Sequence, residues 1–141
     1  MIYISSDHAG FKLKNKLVNY FKRVNLDIND LGPFEYIKND DYPDYVKPLV
    51  DKVLESSENR GILICKNGVG VNVAANRNKS IRAALSWNER HAKSSRTDDD
   101  SNILCLPADF ICFKKAKNII NTWLNTPFSS LDRHLRRLSK L

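Results

Sequence analysis

Short apolar runs alternate with stretches of helical period along the whole chain. Residues 1–5 (MIYIS) form a compact apolar run, after which Phe11, Leu13, Leu17, Tyr20, Phe21 and Val24 recur at the spacing of one helix face. A second strand is predicted over residues 26–31, closed by Gly32 and Pro33. Tyr45, Val46, Leu49, Val50, Val53 and Leu54 then mark an amphipathic helix starting near Pro43. Residues 61–65 (GILIC) carry the strongest strand signal, with a helix predicted behind them over 69–76. Strands at 81–85 and 102–106 and helices at 88–95 and 113–124 complete about five strand-and-helix repeats. This alternation predicts an α/β fold, a parallel sheet with helices on both faces. No linker or low-complexity tract interrupts it, so one domain over residues 1–141 is expected, with a basic tail at 130–141.

Parallel strands joined by crossovers present their carboxyl ends along one edge, and ligands bind there. The residues following the predicted strands are Ser6, Asp7, His8, Ala9 and Gly10, then Lys66, Asn67, Gly68, Val69 and Gly70, then Ser86 and Trp87. In the commoner five-stranded order, 2-1-3-4-5, the first and third strands are neighbours at the switch point, which would bring Asp7, His8 and Cys65 into one crevice.

Composition narrows the class. A chain of 141 residues with 42% hydrophobic content can bury a core without staples. No apolar run reaches the ~18 residues of a membrane helix, and Asp7 and His8 stand where a signal peptide needs apolar residues, so a cytoplasmic protein without membrane contact is expected. The three cysteines, Cys65, Cys105 and Cys112, contain no CxxC pair and are expected as free thiols. The net charge of +7 is uneven: residues 1–65 hold 9 basic and 10 acidic side chains, residues 66–141 hold 14 and 6. An anionic partner is therefore sought in the second part.

Cys65 closes a buried strand and opens a Gly-containing loop into a helix, where backbone N–H groups stabilise a thiolate. Position and loop together favour a reactive thiol over a merely packed one. Cys105 and Cys112 lack that loop and are read as structural. Asp7 could act as a helix cap, while His8 on the ligand edge suits phosphate donation or proton transfer. His91 is expected at the solvated surface, and His134 is left between exposure and assistance to an anion site. Arg133 and Arg137, four residues apart, share a helix face suited to a phosphate monoester, whereas Arg136 points elsewhere.

SDHAGFKLK, DYPDY, GILICxxGVGxxxAAN, IRAAL, SNILCL and RHxxR, in this order and spacing, resemble the sugar-phosphate isomerases of the ribose-5-phosphate isomerase B and galactose-6-phosphate isomerase family. The resemblance runs from Met1 to the C-terminus. It implies a Rossmann-like three-layer α/β/α domain, a homodimer or tetramer whose active sites draw on two subunits, and aldose–ketose isomerisation through an enediol without metal or cofactor. Ribose 5-phosphate to ribulose 5-phosphate is the implied reaction. Carried over by position, Cys65 is the base, Asp7 and His8 contact sugar and phosphate, and Tyr42 walls the pocket. Asn67, Gly68, Val69 and Gly70 form the anion hole, and Arg133 and Arg137 hold the phosphate. Where some relatives place a Glu in lieu of the Cys, this chain has Val71, so Cys65 has no substitute.

The chain departs from the family pattern at several places. Lys66 and Asn67 stand inside a loop that usually reads Cys-Gly-Thr-Gly; an amide donates a hydrogen bond but relays no proton, and Lys66 adds positive charge for an anionic substrate. The family's His-Asn-Asp triplet is Asp98-Asp99-Asp100 here, which puts Asp98 in the ring-opening position, Asp99 beside the substrate, and predicts a rise in Asp98 basicity through mutual repulsion. Asp109 and Cys112 replace an Arg and a Gly. A catalytically impaired member that binds a phosphorylated ligand or pairs with an active paralogue is the alternative. A basic nucleic-acid-binding protein is more remote, lacking aromatic surface or recognition motif. A receiver domain would need a carboxylate where Cys65 stands.

Overall fold

The computed structural model describes residues 1–141. The chain runs β1 (Ile2–Ser6), α1 (Phe11–Arg23), β2 (Asn29–Asp30), α2 (Tyr42–Leu54), β3 (Arg60–Cys65), α3 (Val69–Ala75), β4 (Ala83–Leu85), α4 (Glu89–Thr97), β5 (Ile103–Pro107), α5 (Phe113–Leu124) and α6 (Asp132–Leu138). All five strands are parallel and form one sheet in the order β2-β1-β3-β5-β4. The predicted alternation holds, and β1 and β3 are neighbours as expected.

The last two strands are exchanged relative to the expected order. β5 lies between β3 and β4, so the sheet reads 2-1-3-5-4. The residues explain it: Ile103, Leu104, Cys105, Leu106 and Pro107 are all buried, as an interior parallel strand must be, whereas Ala83, Ala84 and Leu85 are only half-buried and suit an edge. Helix placement follows from one handedness. The steps β1 to β2 and β4 to β5 run the same way across the sheet, and α1 and α4 lie on the same face. The steps β2 to β3 and β3 to β4 run the other way, and α2 and α3 lie on the opposite face.

Two cores result. One joins Leu13, Leu17 and Phe21 of α1 with Ile119, Ile120 and Trp123 of α5 against Ile62, Ile64, Leu104 and Leu106. The other packs Val46, Leu49, Val50 and Val53 of α2 on Leu63, Ile103 and Cys105. Alternate residues of β3 thus feed opposite faces, which is why that strand reads as an uninterrupted apolar run.

β2 and β4 are shorter than predicted because their first residues bond elsewhere. The Leu26 N–H closes the end of α1 on Phe21 O, and the Arg82 N–H is taken by the Asn102 side chain at 2.8 Å. No helix is long and apolar enough to cross a membrane.

Candidate active site

Register delivers the first components. Ser6 pairs with Ile64, and the Asp7 N–H donates to Ile64 O at 3.3 Å, so Asp7 and Cys65 leave adjacent strands side by side at the carboxyl edge. Asp7 is 6% exposed and accepts the Gly10 N–H at 2.9 Å. It bridges the turn ahead of α1, whose N-cap is Gly10, and is not itself the cap. Burial raises the Asp7 carboxyl above its ordinary value, against the Gly10 N–H and the nearby His8 that pull it down.

Cys65 is buried, and its Sγ accepts the Gly68 N–H at 3.2 Å. Gly68 sits at φ +74°, a left-handed conformation that turns the chain from β3 into α3 and aims its N–H back at the sulfur. Asn67 Oδ1 receives the Val69 N–H at 3.0 Å and lies 4.0 Å from Sγ. The Asn67 amide NH2 makes no protein bond and is free to donate to a ligand. Tyr42, at the start of α2, lays its ring on Gly70: a Cβ there would meet ring atoms at 2.9 Å. Lys66 is exposed, and its carbonyl accepts the Asp109 N–H at 3.0 Å. Asp7, His8, Tyr42, Cys65, Lys66, Asn67, Gly68, Val69 and Gly70 therefore share one edge.

His8 brings a residue that sequence reading missed. Its Nδ1 lies 2.5 Å from Asp40 Oδ1, and its backbone N–H donates to the same oxygen at 3.0 Å. Asp40 comes from the loop before α2, distant in sequence, and only the acidic run ahead of Pro43 could have drawn attention to it. The His8 ring is raised above its ordinary value, first by this bond.

Asp98, Asp99, Arg133 and Arg137 lie elsewhere. Asp98 and Asp99 precede β5 and sit at the amino edge of the sheet; Asp98 Oδ1 is 3.9 Å from His134 Nε2 on α6, which brings Arg133 and Arg137 to that end. The length of β3 between the two edges, Gly61 to Cys65, is about 13 Å. Within one chain the two groups do not meet. Asp100 binds Arg82 and Arg96, each at 2.6 Å, so its charge is compensated.

Both remaining histidines are more engaged than expected. His134 is 3% exposed, with Ser129 Oγ on Nδ1 at 2.7 Å, and its Nε2 accepts the Arg133 Nε–H at 3.0 Å. His91 stacks on Trp87 and bonds Ser86. Cys105 is fully buried and its thiol pushed up by burial; Cys112 is exposed.

Comparison with known proteins follows the same lines. The family described as Ribose/Galactose Isomerase matches residues 2–141. The chain is similar to the structure of ribose-5-phosphate isomerase B from Mycoplasma genitalium with bound ribulose-5-phosphate: 40% identity, TM-score 0.93, with 99% of this chain and 91% of that one covered. The Thermotoga maritima ribose 5-phosphate isomerase gives 41% identity and TM-score 0.93, covering 99% and 94%. That from Anaplasma phagocytophilum gives 38% and 0.92, covering 99% and 94%.

Proposed function

Since the chain belongs to the ribose/galactose isomerase family and is an aldose–ketose isomerase of phosphorylated sugars, we propose that it interconverts ribose 5-phosphate and ribulose 5-phosphate with Cys65 as the base. The observation that carries this reading is the Cys65 sulfur held at 3.2 Å by the Gly68 N–H beside the buried Asp7. Starting from the aldose, the Cys65 thiolate removes the C2 proton while the C1 carbonyl oxygen takes up negative charge, and the proton of the C2 hydroxyl passes to that oxygen. The thiol then returns its proton to C1 as the C2 oxygen closes to the ketose carbonyl, which restores the thiolate. Fixed donors at the developing oxyanion lower that barrier more than mobile water can. The Gly70 N–H and the free Asn67 amide are the donors assigned to it, the Gly68 and Val69 N–H groups being held by Cys65 Sγ and Asn67 Oδ1.

The phosphate is assigned to Arg133 and Arg137, both exposed and without acidic partners. Because they lie a strand length from Cys65, a complete site draws them, with Asp98 and Asp99, from a second copy of the chain. This supports a homodimer with shared sites.

A coupled assay over pentose and hexose phosphates tests the reading. Ribose 5-phosphate should be turned over, and Cys65→Ala should abolish turnover while leaving ligand affinity within a few fold, because a proton-transfer group adds little to ground-state binding. Retained turnover in Cys65→Ala sinks the mechanism. Preference for a hexose phosphate would move the substrate without moving the base.

A further inference from the structure

Asp40 is a carboxylate that the fold buries at visible cost. Its side chain is 5% exposed, and Oδ2 is buried with no hydrogen-bond partner. Buried polar atoms are normally satisfied, and a buried charge normally has a counter-charge. The close hydrogen bonds of Asp40 fall on one oxygen: Oδ1 takes both the backbone N–H and the ring nitrogen of His8, while the Tyr45 phenol stands near the carboxylate from behind. The His8 ring is meanwhile 35% exposed, and its Nε2 makes no protein bond. A carboxylate on Nδ1 accepts its N–H and fixes the ring orientation, and by favouring the protonated imidazole it keeps a second proton on Nε2, which only the charged ring can donate.

We infer that Asp40 is a positioning residue, locking the His8 imidazole through Nδ1 so that Nε2–H donates to the substrate phosphate. This rests on the reading of His8 as a ligand contact. It also gives the loop between β2 and α2 a task at the site. The groups facing His8 are few. Asp7 follows β1 beside it, Asp40 closes one side, and the Tyr36 ring stands edge-on at 6.5 Å. Behind Asp40 lies Tyr45 of α2, whose phenol is raised first by burial and then by the Asp40 carboxylate. Asp7 and Asp40 both favour protonated His8, and only its partial burial opposes them. The ring therefore carries positive charge at higher pH than an ordinary imidazole does.

The chain has three histidines, so their Cε1–H signals can be followed together by NMR through a pH titration. The wild-type His8 midpoint should exceed the ordinary ~6.5. It should fall in Asp40→Asn, which keeps an acceptor and removes the charge, and return in Asp40→Glu. Inorganic phosphate should move the His8 signal in the wild type. With ribose 5-phosphate at pH 7.5, KM of Asp40→Asn should rise about tenfold and kcat change less, and the KM ratio to wild type should close towards pH 5.5, where both imidazoles are protonated.

A wild-type midpoint at or below the ordinary value overturns the inference without any variant. So does a midpoint that Asp40→Asn leaves unmoved, or a KM ratio constant with pH, which would mark Asp40 as a loop tether only. Absence of sugar-phosphate turnover in the wild type would instead refute the proposed function, and the NMR titration with inorganic phosphate would still decide the role of Asp40.

Discussion

Gly68→Ala separates the demands of fold and chemistry at one position. Residue 68 is held at φ +74°, where an alanine costs about 1–2 kcal/mol. The added methyl would overlap Leu85 Cδ1 and stand 3.2 Å from the backbone of Leu106 and Pro107. Leu85 can rotate away, but the β5 backbone cannot, and such overpacking adds about 1–3 kcal/mol. A loss of about 2–5 kcal/mol lowers Tm by roughly 7–17 °C in a domain of this size. Relieving the overlap also pulls the Gly68 N–H away from Cys65 Sγ, so kcat should fall about 100-fold, the lower end for losing one fixed donor.

Gly70→Ala is the matched comparison. Gly70 lies in helix α3, where alanine gains about 0.5–1 kcal/mol, and the atoms in the way belong to the movable Tyr42 ring. Stability should change by less than about 1 kcal/mol while KM rises as Tyr42 shifts. Thermal unfolding and steady-state kinetics on both variants decide the case. Equal Tm values for Gly68→Ala and wild type, or a larger Tm loss in Gly70→Ala, would refute the reasoning.

Other outcomes follow from the same geometry. Cys65→Ala mixed with Arg137→Ala, assayed at a substrate concentration far below the raised KM of Arg137→Ala so that neither turns over alone, should regain about a quarter of wild-type activity after subunit exchange, because half the dimers are mixed and one of their two sites is intact; no recovery would mean that each chain builds its own site. Arg133→Ala and Arg137→Ala should raise KM, while Arg136→Ala should not; equal effects would reduce α6 to diffuse charge. Lys14 is fully buried, with Nζ 2.7 Å from both Asp30 oxygens, so Asp30→Ala should cost about 3–5 kcal/mol in urea unfolding by stranding that charge, and a loss below ~1 kcal/mol would contradict it. The raised Asp7 carboxyl means that the folded chain holds this proton to higher pH than the unfolded chain. Its contribution to stability therefore falls as pH climbs through the window between the two values. Asp7→Asn should accordingly gain on wild type as pH rises above the ordinary carboxylate value of about 4, and a reversed trend in paired urea titrations would show the sign to be wrong.

Periodicity and local chemistry determined much of this protein. Helix spacing and apolar runs specified every major element, and a strand ending in Cys65 with glycines behind it announced a ligand loop. Those signals lie within a few residues of one another, so the amino-acid order contains them directly. The exchange of β4 and β5, the burial of His134 and the joining of His8 to Asp40 depend on which segments pack together, and no local pattern encodes that. The relative burial of Ala83-Ala84-Leu85 and Ile103–Leu106 was present in composition, yet only competition for the sheet interior turned it into strand order. Tertiary structure alone also divided the candidate residues. Cys65 and Asp7 follow strands and Asp98 precedes one, and in a parallel sheet that difference sends them to opposite edges, because the strands between them are longer than any side chain can span.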